Sequence, residues 1–274
     1  MKLETKDPRA VGRQAVKETV DPILWEKNLK FTDKLESALA KHPISQHPLM
    51  EFFDNETINK DKSLRIHQEF GYAFAQIFTD AVLQAMTNAT QLEKRLGPKG
   101  KVTARFLWAI NLQDEIGFIP SGNEQSYAGH PLLAHYFQYV QLFKDLGATE
   151  TAIQEYQPSV AAQRARATFI EYYNDYTLLT SVLALAESIF DKFAGSWADN
   201  VERSTDIDTS IGYHTIHVED DHGESIDDEH SEDSWTLVRQ CLTEDRYEEI
   251  ENKAKEWLDE WYAFADSIMK MAME

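Results

Sequence analysis

Between residues 61 and 93 the sequence places apolar side chains at Leu64, Ile66, Phe70, Phe74, Ile77, Phe78, Val82 and Met86. The spacing is the 3.6-residue period of a helix, and the stripe is broader than one neighbouring helix can cover. A chain holding such a helix must bury it among several others. The period returns at Ile23, Leu24, Phe31, Leu35 and Leu39, and again at Trp257, Leu258, Trp261, Phe264, Ile268 and Met271. With only 11 Gly and 8 Pro in 274 residues, connections are short and turn-rich β architectures are disfavoured. No segment of 20–50 residues repeats, so a solenoid is excluded as well. The expected fold is all-α, helices joined by short connections.

Local signals mark the breaks. Residues 1–20 are polar and read as a loose arm ahead of a single helical domain over 21–274. Asp21-Pro22 starts a helix, with proline in the first turn. His42-Pro43 and His47-Pro48 are turn punctuation before a short helix over 49–53. Leu96-Gly97-Pro98-Lys99-Gly100 ends the 61–93 helix, and 101–116 is helical again. After a loop, His130 opens the next helix, with Pro131 in its first turn and Gly147 at its end. A short piece over 150–156 precedes a long segment that begins at Pro158 and reads as two helices joined near Asn174-Asp175. A polar connection over 201–210, an acidic helix over 212–230 and helices over 235–242 and 245–273 complete the chain.

The formal net charge of −20 disfavours nucleic acid and anionic membrane as partners. A lone cysteine, Cys241, excludes a disulfide framework and a thiolate-rich metal site, and suits a reducing cytoplasm. It has no nearby basic partner, so a structural role is expected. No apolar run reaches the length of a membrane span, and the N-terminal MKLETKDPRAVGRQ lacks the apolar core of a signal peptide. GxGxxG, P-loop, GxSxG and HExxH motifs are all absent.

What remains is carboxylate and imidazole spread over helices. Glu115 ends an apolar turn that also carries Asn111 and Asp114, and Glu187 sits inside LLTSVLALAESIF. A carboxylate in such surroundings is costly unless it is paired or metal-bound. Residues 212–230 hold four of the nine histidines. If they are helical, His217, Asp221 and Glu224 share one face at i, i+4 and i+7, with His214 one turn earlier. Imidazoles and carboxylates on one face suit a first-row transition metal. The plainer alternative is a solvated acidic helix. His67 lies on the 61–93 stripe as a core or pocket residue.

In four passages the sequence resembles the heme-oxygenase-like di-iron oxidases, relatives of the thiaminase-II and pyrroloquinoline-quinone-synthase folds. They are FLWAINLQDEIG, GHPLLAHYFQYVQLFKDLGA, LALAESIF and YHTIHVEDDHGE, in that order within roughly residues 35–270. The resemblance implies a heme-oxygenase-like bundle of about seven helices and an O2-activating non-haem di-iron centre. It also implies Glu115, His130, Glu187, His217 and Asp221 as ligands. The last passage departs from the family's His-x3-Asp-x2-His pattern, with Glu224 in place of the final histidine. Glu224 is taken as the sixth ligand, which gives the four carboxylates and two imidazoles of other helical di-iron sites. His214 and His222 stay open as its rivals. The implied cofactor is two iron ions with O2 as co-substrate, acting on a small amino acid or amine, with an external electron donor and a homodimer left open. The alternatives are a cofactor-independent oxidase or thiaminase-like hydrolase on the same fold, and a non-catalytic metal-binding or interaction protein.

Overall fold

The structure, a computed structural model, describes residues 7–119, 128–217 and 226–274. Asp7 caps α1 (Pro8–Lys17), and Asp21 caps α2 (Pro22–Lys41) by accepting from the Ile23 and Leu24 amides; each helix has proline in its first turn. A 3-10 turn leads into α3 (Pro48–Asn55). In both steps a His-Pro pair does the capping: His42 Nδ1 accepts from the Ile44 amide at 3.2 Å, and His47 Nδ1 from the Leu49 amide at 3.1 Å.

The 61–93 stripe does not form one helix. It divides into α4 (Lys60–Phe70), a π-helical stretch over Gly71–Ala75, and α5 (Phe78–Asn88). The widened turn falls where Gly71 meets the next layer: a Cβ there would stand 2.8 Å from the Tyr139 ring and 2.9 Å from Phe143. It also aims Phe74, Ala75 and Phe78 at the cavity described below. Such single π turns break an apolar period without breaking the helix axis, so the period alone does not show them.

A bend at Gly97, with φ of +68°, lies inside α6 (Glu93–Glu115), which then runs unbroken to its acidic end. The strands β1 (Phe118–Ile119) and β2 (Ala128–Gly129) pair antiparallel, Phe118 opposite Gly129. Next come α7 (His135–Asp145), α8 (Glu150–Gln154), α9 (Val160–Ile170) and α10 (Tyr176–Ser204). The expected division near Asn174-Asp175 is present, with Asp175 capping α10 through the Leu178 amide. The last helices are α11 (Tyr213–Ile216), α12 (Ile226–Cys241) and α13 (Tyr247–Met273). The expected single helix over 212–230 is not seen: α11 stops before His217, and 218–225 lie outside the described residues.

The bundle is built on α10, in which every residue from 176 to 187 is buried. It packs against α12, α3, α13 and α5. One apolar cluster joins residues from Val16 to Ala272. Val16 belongs to α1, so the expected loose arm is corrected over 8–17. These residues form a helix laid against α6 and α12, because Arg9 and Arg13 find acidic partners there. No helix among the described residues is long and apolar enough to cross a membrane.

Candidate functional site

Two carboxylates enter the core from different helices. Glu115 comes from the last turn of α6 and Glu187 from the middle of α10, and both are buried. Around them stand three imidazoles. His135, in the first turn of α7, has Nδ1 3.2 Å from Glu115 Oε1. His230, on α12, has Nδ1 3.7 Å from Glu187 Oε1 and 4.0 Å from Glu115 Oε1. His217 caps the end of α11 with its ring 5.3 Å from that of His135. Glu115, Glu187, His135 and His217 line one small cavity with Phe74, Phe78, Phe190 and Tyr213.

Burial pushes the Glu115 carboxyl upward, but His135, and after it His230 and His217, outweigh this and hold it below the usual carboxylate range. An ionised carboxylate in an apolar shell calls for a counter-charge. Two donors about 2.1 Å from a shared cation can stand up to roughly 4 Å apart, and the separations of His135 and His230 from the two carboxylates fall within that reach. Among the described residues, no group of three or more His, Cys, Asp or Glu stands in coordinating array around one point. The donor types fit a first-row cation, and binding would draw the side chains together.

The sequence-derived set meets the structure unevenly. Glu115, Glu187 and His217 come together. His130 does not join them. It is exposed, and its Nδ1 accepts from the Leu132 amide at 3.1 Å, capping a 3-10 turn over Pro131–Leu133. This is the third His-Pro cap of the chain, and the dipeptide already read as punctuation at 42–43 and 47–48 was the signal. The histidine that meets Glu115 lies five residues later. Gly117, at φ +88°, lets the backbone at His130 and Ala134 approach the end of α6; a Cβ there would stand 2.5 Å from the His130 carbonyl oxygen.

His214 is also placed elsewhere. Its Nε2 stands 3.3 Å from Nε2 of His67, deep in the core beside Trp197. Asp221, Glu224 and His222 lie outside the described residues. His230, which reads as facing away when 212–230 is drawn as one helix, joins the cluster because α12 is a separate helix from α11. Cys241 is buried, its Sγ donates to the Val238 carbonyl, and burial pushes its thiol up to about 12.

No family model matches the sequence, and no curated protein matches it. Solved structures do. A crystal structure of a CADD-like protein of unknown function from Nostoc punctiforme superposes with a TM-score of 0.66 at 14% identity, covering 91% of this chain and 100% of that one. The chain has a CADD-like fold. A second crystal structure of that protein gives a TM-score of 0.62, also at 14% identity, over 90% of this chain and 96% of the other. At such identity the CADD-like likeness is one of helix arrangement. It gives the all-α architecture, and the site stands on its own geometry.

Proposed function

We propose that the chain is a non-haem di-iron oxidoreductase that uses O2 on a small amine or amino acid. The observation that carries this reading is the meeting of buried Glu115 and Glu187 with His135 and His217 in one phenyl-lined cavity. These four residues would hold the metal, with Asp221 added from the sequence pattern. When bound, the iron pair supplies the electrons that reduce O2; the protein contributes orientation and a dry, shaped site.

The chain's own residues divide that work. The two carboxylates offset cationic charge, and the imidazoles supply end-on nitrogen. Phe74, Phe78, Phe190 and Tyr213 keep water out. The cavity offers about 20 Å³, room for roughly one water-sized molecule. Only the reacting end of a substrate fits there. A groove of about 630 Å³ begins at the same Tyr213 and is lined by Asp145, Asp206 and Asp208 against a single cation, Lys60. Its size is that of a small-molecule site, and its charge favours an amine.

Anaerobic loading with Fe(II), followed by desalting and metal analysis, is expected to leave about two iron ions per chain, the count of helical di-iron sites. Glu187→Ala should lose iron while its circular dichroism stays helical. A wild-type protein that retains no iron and consumes no O2 would sink the proposal. A variant that is destabilised but keeps its iron would make Glu187 structural.

A further inference from the structure

We propose that His230 is a metal ligand of this centre through Nδ1, held in place by Asp114 and, behind it, Arg9 of α1. The inference rests on the di-iron reading above and assigns the ligand position that the sequence pattern gives to Glu224.

The geometry fixes which nitrogen is offered. His230 is 1% exposed, and its Nε2 stands 3.1 Å from Asp114 Oδ2. A carboxylate in an ion pair with arginine can only accept, so Nε2 carries the hydrogen. The lone pair, or a proton that a cation would displace, is then on Nδ1. That atom faces both buried glutamates, at 3.7 Å from Glu187 and 4.0 Å from Glu115. Carboxylate–imidazole pairs of this kind orient metal-bound histidines and make them more basic.

Asp114 is itself held. Arg9 donates to Asp114, to Asp233 and, at 2.7 Å, to Asn111 Oδ1. Asp114 and Asn111 are on α6, and Asp233 is on α12 one turn beyond His230. One guanidinium thus ties the helix that carries Glu115 to the helix that carries His230. A surface histidine capped by chance would have none of this support. The nearest acidic neighbour in sequence to Glu115 is used for orientation, and His230 is the group it orients.

The test is anaerobic titration with Co(II) or Fe(II), read by calorimetry and, for Co(II), by its visible absorption. His230→Ala is expected to bind one cation fewer, or to bind the second at least ten-fold more weakly, with a changed Co(II) spectrum. His230→Gln, which keeps a donor for Asp114, serves if the alanine variant does not fold, and the same loss is expected. Asp114→Asn should weaken binding about 10–100-fold, the usual effect of removing such an orienting carboxylate. Glu224→Ala should titrate like wild type. If the wild type binds two cations and the His230 variants bind two equally well, the assignment is overturned while the di-iron reading stands. If Glu224→Ala alone loses a cation, Glu224 holds the position. A wild type that binds none overturns both.

Discussion

Between about pH 6.5 and about pH 4 the protein is expected to lose on the order of 3 kcal/mol of stability through His67 alone. His67 is fully buried, with its ring stacked at 4.5 Å on Trp197. Its Nδ1 donates to the Ser63 carbonyl at 2.6 Å, and Nε2 faces His214. Burial lowers its pKa from 6.5 to about 4, outweighing the bond to Ser63. In the unfolded chain the same ring takes a proton near pH 6.5. Within that window the unfolded state binds a proton that the fold refuses, so each unit of acidification costs about 1.4 kcal/mol. Above the window His67 contributes no slope, and below it the loss saturates. His214, lowered by burial and then by His67 and His217, steepens the loss. Glu115, held below the carboxylate range, keeps its stabilising contribution until the pH falls through its own lowered value. Urea unfolding at several pH values reads this directly. His67→Leu should flatten the slope by about 1.4 kcal/mol per unit relative to wild type, whatever its stability at neutral pH. Comparing slopes removes the background from the many surface carboxylates, which both proteins share. Identical slopes would show that His67 titrates normally.

How much of this could be read from the residues depends on the range over which each signal acts. Capping is local, and Asp21 and Asp175 with their following residues mark helix boundaries that the structure keeps, while the cap at Asp7 lies in a stretch that reads as a loose arm. Glu115 and Glu187 were legible because a carboxylate inside an apolar period has few bland explanations. The π turn at Gly71–Ala75 was not legible, since the rings that crowd Gly71, Tyr139 and Phe143, are some seventy residues away in sequence. His130, taken as a ligand from the resemblance of GHPLLAHYFQYVQLFKDLGA, is instead a cap, as the local chemistry of His-Pro favours. His230 was hidden by treating 212–230 as a single helix, which turns its side chain away from His217. Arg9 and Arg13 were hidden in a polar stretch whose partners, Asp114 and Asp233, are more than a hundred residues distant. Asp221 and Glu224, ligands in the sequence-derived set, lie outside the described residues.

Arg9→Ala is expected to cost about 3 kcal/mol, the low end for breaking a buried ion pair. Arg13→Ala, four residues along the same helix, should cost less. Both arginines meet Asp233, which is fully buried. They differ in their other partners. Arg9 also meets Asp114, whose side chain is 11% exposed, and Asn111, buried at the end of α6. Arg13 meets Glu229 and Glu232, whose side chains are 49% and 61% exposed. Exposed pairs are worth roughly 0–1 kcal/mol each, so most of what Arg13 contributes is its one bond to Asp233. Losing Arg9 leaves two carboxylates short of counter-charge, one with no access to water. It also removes the guanidinium behind Asp114, the carboxylate that holds His230 at Nε2. The loss is kept from the upper end because Asp233 retains Arg13 and Asp114 retains His230. Urea unfolding of both single variants and of Arg9→Ala with Asp233→Ala measures the terms. If the Arg9–Asp233 pair is real, the double variant is less destabilised than the two single losses added together, because Arg9 and Asp233 share one interaction. Proteolysis supplies a second readout. With α1 undocked, cleavage within 8–17 should accelerate in Arg9→Ala well beyond Arg13→Ala. Equal losses in stability and equal cleavage for the two arginine variants would show that α1 is held by its apolar contacts, Val16 foremost, and that the guanidinium bridge adds nothing.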